Sequence, residues 1–239
     1  MSHVYIINAC QTTLRCRVVF LRLCRNKGED AMVPKLHAVS TGKQPLEQLL
    51  KIIRDIEPYV GAIHIREKER TARELEVLIG DLKKEVPASK LIVNDRVDVA
   101  FAAQVKGVHL AYHSLSAQGV KAHFQQLIVG KSVHSVKEAK EAEQSGVDYV
   151  IYGHIYPSQS KLGQTPRGLE QLKQVVDSVQ IPVIAIGGVM PCNVREVLST
   201  GAHGVAVMAG VFKDENPLQA AKEYGEQLRK WSDTYGGTL

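Results

Sequence analysis

Val183-Ile184-Ala185-Ile186-Gly187-Gly188 is a short, unbroken apolar run that stops at two glycines, and Val205-Ala206-Val207-Met208-Ala209-Gly210 repeats the pattern one unit later. Runs of this length, apolar throughout and rich in β-branched residues, suit strands buried on both faces of a parallel sheet. Working outward, six earlier runs share that character: residues 36–39, 62–65, 91–93, 107–110, 127–129 and 149–151, before the pair at 183–186 and 205–208. Helix signals fall between them. Thr71-Ala72-Arg73-Glu74 and Ser135-Val136-Lys137-Glu138 read as capping boxes, in which the hydroxyl accepts from an orphan backbone N–H and the glutamate reaches back. Gly146 stands where a C-cap glycine belongs. Asn216-Pro217 places an N-cap before a proline at the first helical position, and Leu218, Ala221, Tyr224, Leu228 and Trp231 then recur at helical spacing. Eight strand–helix units predict an α/β fold, a single-domain (βα)8 TIM barrel over residues 32–239. A doubly wound open sheet is the competing architecture, but its Gly-x-Gly-x-x-Gly fingerprint has no counterpart here.

The composition narrows the function classes. The chain has 239 residues, 44% hydrophobic and 23% charged, which excludes disorder, collagen and coiled coil. No stretch is long and uncharged enough to span a membrane. Of the net charge of +5, +3 lies in residues 1–31, which hold Arg15, Arg17, Arg22, Arg25 and Lys27 against Glu29 and Asp30. The remainder is nearly balanced, which is no footprint for a nucleic acid, and 5% aromatic residues offer few stacking platforms. Cys10, Cys16 and Cys24 cluster early and Cys192 stands alone, a spacing that fits no zinc site. One cysteine in the predicted barrel points to a reducing cytoplasm. Residues 1–31 lack periodicity and read as an extra N-terminal segment, not native or poorly ordered. Met32 is the alternative start, because Lys27-Gly28-Glu29 can be encoded by a purine-rich ribosome-binding sequence in a bacterial source. A genuine basic arm is the other reading of that segment.

In a barrel the chemistry sits where strands end and βα loops begin. The glycines after strands seven and eight let the backbone approach an anion, and a short extra helix commonly completes a phosphate site there. The expected donors are the backbone N–H groups of Gly188, Met208 and Ala209, beside Gly187. A valine at Gly188 is expected to block the phosphate and leave the fold intact. Arg66 offers a planar fork for a carboxylate, against the alternative of an ion pair with Glu67 or Asp95. Asn94 and Ser132 are pocket hydrogen-bonding groups by position, and His64 is placed at the pocket wall. His109 is placed in the core. The long polar loop 157–166 reads as a lid, with a merely solvated loop as the alternative.

With these segments in place, the chain resembles the thiamine phosphate synthase superfamily over nearly all of residues 35–228. The resemblance rests on His64-Ile65-Arg66-Glu67-Lys68, Val93-Asn94-Asp95-Arg96-Val97-Asp98, Gly107-Val108-His109-Leu110, Gly130-Lys131-Ser132-Val133-His134, Gly153-His154-Ile155-Tyr156-Pro157 and the two glycine-bearing strand ends. A synthase joins a pyrimidine diphosphate to a thiazole phosphate with Mg²⁺ held by two aspartates. The resemblance aligns the first with Asp95 and the second with Ser114. A glutamine of the synthase is His64 here, and the synthase's Gly-Pro after strand six is Gly153-His154. That last change matches the TenI type, the thiazole tautomerases.

The resemblance therefore implies an isomerase of thiamine biosynthesis. It would convert an exocyclic-alkene carboxythiazole phosphate into the aromatic carboxythiazole phosphate, with no metal and no cofactor. His154 is the expected general acid and base, since an imidazole titrates near neutrality. His134 is a second proton carrier or a carboxylate ligand. The resemblance places Ser158 and Ser160 on the phosphate and Lys161 beside the ring. The expected partner is the small-molecule thiazole phosphate, with neither nucleic acid nor membrane involved and homo-oligomer formation left open. The competing functions are thiamine phosphate synthase and a non-catalytic binding or regulatory protein on the same scaffold.

Overall fold

The computed structural model describes residues 35–235; the segment 1–31 lies outside the described residues. Eight strands form a closed barrel in chain order. They are β1 (Leu36–Val39), β2 (Ala62–Ile65), β3 (Leu91–Asn94), β4 (Gly107–Leu110), β5 (Ile128–Val133), β6 (Tyr149–Gly153), β7 (Val183–Ile186) and β8 (Gly204–Val207). Every pairing is parallel, and β1 closes the ring on β8 through Leu36↔Val205 and Ala38↔Val207. Around them lie α1 (Leu46–Ile56), α2 (Ala72–Glu85), α3 (Val97–Ala102), α4 (Ala117–His123), α5 (Val136–Gln144), α6 (Gly168–Ser178), α7 (Val194–Ser199), the one-turn α8 (Ala209–Phe212) and α9 (Pro217–Tyr235). Among the described residues no helix is long and apolar enough to cross a membrane.

Alternation along each strand sorts the side chains into two sets. Ala38, Ile63, Ile65, Val93, Val108 and Val129 pack outward in one cluster with helix residues such as Leu49, Ile53, Leu78 and Leu82. Val39, Ala62, Ile92, Tyr149, Ile151, Ile184 and Ala206 fill the barrel interior. The predicted runs place all eight strands, but four strands change their bounds, with β5 also starting one residue later at Ile128. β3 gains Asn94, β5 runs to Val133, β6 runs to Gly153, and β8 spans Gly204–Val207. The parallel ladder uses backbone groups and is indifferent to polarity, so Leu110↔Lys131 and Ser132↔Ile151 pair as apolar residues do. Met208 instead turns toward α8 with φ −118° and ψ −79°.

The helix ends follow the sequence closely. Thr71 and Glu74 form the reciprocal capping box. Ser135 accepts from the Glu138 N–H, but the Glu138 carboxylate accepts from the His134 N–H at 2.8 Å, one residue beyond the cap. Gly146 follows α5 at φ +80°. Asn216 Oδ1 accepts from the Gln219 N–H, and Ala221, Tyr224 and Leu228 bury the inner face of α9.

Three histidines lie inside the barrel. His37 Nδ1 and His64 Nε2 share a hydrogen bond at 2.8 Å, and the His64 and His109 rings stand 5.3 Å apart. His109 belongs to the core, as expected. His64 does not line the pocket: it is 1% exposed, because position 64 points inward one layer below the strand end. Burial, reinforced by repulsion from His37 and His109, holds the His64 pKa well below its ordinary value. Burial likewise pushes His109 down to about 3, again with a contribution from His37. Both rings are therefore neutral at pH 7.

Candidate active site at the mouth of the barrel

His154 follows the last residue of β6 and is 8% exposed. On one side the chain stays tied to β7, with the Ile155 N–H on Ile186 O at 3.0 Å and the Tyr156 N–H on Gly187 O at 2.9 Å. On the other side the Arg167 N–H donates to His154 O at 2.9 Å and the Gly168 N–H to Ile155 O at 3.1 Å. The imidazole Nε2 lies 3.3 Å from the carbonyl oxygen of Gln164. A carbonyl only accepts, so Nε2 carries the hydrogen and the neutral ring keeps its lone pair at Nδ1.

The glycine pair sits directly against this segment. A Cβ on Gly187, at φ +98°, would lie 2.3 Å from His154 Cβ. A Cβ on Gly188, at φ +68°, would lie 2.5 Å from Pro157 O. Both glycines are thus required by close approach of the β6 connection, whatever binds above them. The expectation that valine at Gly188 leaves the fold intact is therefore wrong: the side chain would meet backbone first.

Gly187 and Gly188 stand beside Met208 and Ala209, since β7 and β8 pair through Ile186↔Ala206. Ala209 opens α8, whose first N–H groups have no preceding turn to bond. Tyr224 of α9 pins the two loops together. Its hydroxyl donates to Val189 O at 2.8 Å and passes within 2.4 Å of where a Gly210 Cβ would be. The sequence marked Tyr224 only as a core residue of a helix face, and its periodicity carried no sign of this contact.

Across the mouth, Asn94 ends β3 and donates to Asp95 Oδ2 at 2.9 Å. Asp95 adopts φ +64° and collects further donors: the Ser114 hydroxyl, His113 Nε2 at 3.2 Å and the Ala111 N–H at 3.3 Å. Burial alone would raise its pKa, but the Ser114 hydrogen bond, the His113 charge and the other donors hold the carboxyl below its ordinary value. Ser114, which the resemblance aligns with the second aspartate of a synthase, is here a neutral donor to Asp95. Among the described residues no group of three or more His, Cys, Asp or Glu side chains could hold a metal ion. A divalent ion bridging a diphosphate needs several hard anionic oxygens, and one carboxylate already engaged by four donors does not fit that role.

Arg66 follows β2 half-buried, and among the described residues it has no carboxylate partner. Glu67 turns inward instead, accepting from Ser40 Oγ at 2.6 Å with Arg70 Nε at 3.6 Å. Ser132 is half-buried, its hydroxyl 2.8 Å from His109 Nε2. His134 lies exposed after β5, tied to α5 through its backbone N–H. Ser158 accepts from the Ser160 N–H at 3.3 Å and opens the turn Gln159–Lys161; Ser160 and Lys161 are exposed. The predicted groups thus come from the C-terminal ends of β2, β3, β5, β6, β7 and β8, all at one face.

The sequence matches the profile of a family described as thiamine monophosphate synthase over residues 36–211. The thiamine-phosphate synthase of Caldivirga maquilingensis is 37% identical over 180 residues, covering 74% of this chain and 86% of that protein. That of Pyrococcus furiosus is 37% identical over 199 residues, covering 82% and 93%. The structure of a thiamine phosphate pyrophosphorylase from Pyrococcus furiosus superposes with a TM-score of 0.72 at 33% identity, over 82% of this chain and 96% of the other. A barrel with this mouth, a family profile across most of its length and relatives aligned nearly end to end place the chain in the thiamine monophosphate synthase family, a family of thiamine biosynthesis.

Proposed function

We propose that this protein is a thiazole tautomerase, converting the exocyclic-alkene tautomer of carboxythiazole phosphate into the aromatic form. The observation that carries the reading is His154, buried at the end of β6 with Nε2 committed to the Gln164 carbonyl and Nδ1 left as an acceptor. Nδ1 takes the proton from the ring carbon bearing the carboxylate. The released electron pair shifts through the conjugated system, and the imidazolium returns a proton to the exocyclic carbon. One proton leaves and one arrives, so no redox partner is needed. The Arg66 guanidinium, without a carboxylate partner among the described residues, holds the substrate carboxylate. The N–H groups of Gly188, Met208 and Ala209, beside Gly187 and with the hydroxyls of Ser158 and Ser160, receive the phosphate. Lys161 lies by the ring, while Asn94, Ser132 and His134 complete the polar wall. The engaged Asp95 supports a reaction in which no diphosphate departs.

The test is turnover of the alkene tautomer by wild type and His154→Asn. The variant should be slower by roughly 10²–10⁴, the usual worth of general acid–base catalysis, with product affinity little changed. Chelation should leave the wild-type rate intact. Full activity in His154→Asn would move the base elsewhere. The second reading is thiamine phosphate synthase, favoured by the names of the curated relatives. Formation of thiamine phosphate from the two substrates with Mg²⁺, lost on chelation, would establish it.

A further inference from the structure

His154 stands one residue past its strand, where the ladder no longer dictates the direction of its side chain. Two peptide groups flank its Cα, and one residue holds the carbonyls of both. Arg167 Nε donates to Gly153 O at 3.0 Å, and the Arg167 backbone N–H donates to His154 O at 2.9 Å. The guanidinium also lies over the Tyr152 ring, 5.9 Å from its centroid, against a side chain that is 1% exposed. Gln164, whose carbonyl accepts from the imidazole, lies three residues before Arg167 in the same connection. We propose that Arg167 is the positioning residue for His154: it fixes the peptide planes on either side of the base and anchors the segment that sets its tautomer.

The residue type suits the task. A guanidinium is charged at every relevant pH, and its donors are fixed in a plane, so its bond to a carbonyl is strong and directional. The aromatic face beneath it restricts the alternatives. Without that bond, Gly153 O loses its side-chain donor, and the Gln164 carbonyl is no longer tied to the strand end. Both changes free the imidazole to rotate and to exchange its proton between nitrogens.

The expected loss of rate rests on the tautomerase reading; the expected change in the ring does not. Arg167→Met keeps the length and the contact with Tyr152 but removes every side-chain donor. A misplacement of about 1 Å can cost on the order of 10² in rate, so kcat should fall by roughly 10–100-fold while KM stays within about twofold. Arg167→Lys, which retains a cationic donor, should recover part of kcat. In parallel, ¹⁵N NMR of the His154 ring should show hydrogen on Nε2 in wild type and a mixture of tautomers in Arg167→Met. Unchanged kcat with unchanged nitrogen signals would overturn the inference. So would a loss of thermal stability and activity with the ring still held in its wild-type tautomer. If Arg167→Met does not fold, Arg167→Lys decides alone: a partial fall in kcat with a mixture of His154 tautomers supports the positioning role, and wild-type nitrogen signals, with kcat unchanged or lowered, refute it. If the wild type shows no tautomerase activity, the ring signals alone decide about Arg167, and the functional reading fails separately.

Discussion

Acidification should unfold this barrel from its centre, and His109 sets the scale. Its ring is buried, 3% exposed, and burial pushes its pKa down to about 3 in the folded protein. In the unfolded chain the same imidazole titrates near 6.5. Between those values the unfolded state binds the proton and the folded state does not, so stability falls as the pH drops through that window. From neutral pH to near pH 5 the gap spans about 1.5 pH units, which is about 2 kcal/mol from His109 alone. Against a typical total of about 5–15 kcal/mol that is a large share. His64, also held low by burial and by its neighbours, acts in the same direction. The assay is urea unfolding of wild type and His109→Gln near pH 7.5 and near pH 5. A glutamine amide can still meet the Ser132 hydroxyl and does not titrate in this range. The wild type should lose about 2 kcal/mol more than the variant on acidification. Equal losses would refute the reasoning, since His109 would then bind protons alike in both states.

Other perturbations read the mouth. Gly188→Val meets both a positive φ and a backbone oxygen, so it should cost roughly 2–6 kcal/mol, visible as a lower melting temperature or insoluble protein. A stable variant with only a raised KM would show that the loop has room to move. Tyr224→Phe strands the carbonyl of Val189, which should cost about 1–3 kcal/mol. Because that bond ties the β7 loop to α9, whose Tyr224 also packs against Gly210 of α8, the same variant should raise KM for a phosphate-bearing substrate more than it lowers kcat; an unchanged KM would separate Tyr224 from the anion site.

Strand positions were legible because apolar runs and barrel strands share one cause, burial on both faces. The place of His154, one residue past the end of β6, was legible from the apolar run that precedes it. The arrangement around Asp95 was not: Ser114, His113 and Ala111 lie in the loop after β4, and only the pairing of β4 beside β3 brings them to the end of β3. His37 carried no motif, and its bond to His64 depends on the β1–β2 register. Inward alternation placing His37 and His64 in neighbouring strands was the available signal. Arg167 sits just before a helix in a polar connection and looks solvated until Gly153 O is seen beside it. Local pattern therefore shows which element a residue ends, while contacts between loops are set by how neighbouring strands pair and how each connection folds back.

Gly187 and Gly188 carry a consequence for redesign. Their missing side chains make room for residues 154–157, so the pair is a mechanical requirement of the scaffold whatever binds above it. An engineer who wants this barrel to accept an uncharged substrate gains nothing by filling those positions. The adjustable edge is the neighbouring one, at Met208 and Ala209, where the chain leaves β8 for a single helical turn. Selection is bound by the same rule: a change of ligand alone gives this fold no freedom to replace either glycine, because the connection from β6 is stacked against both.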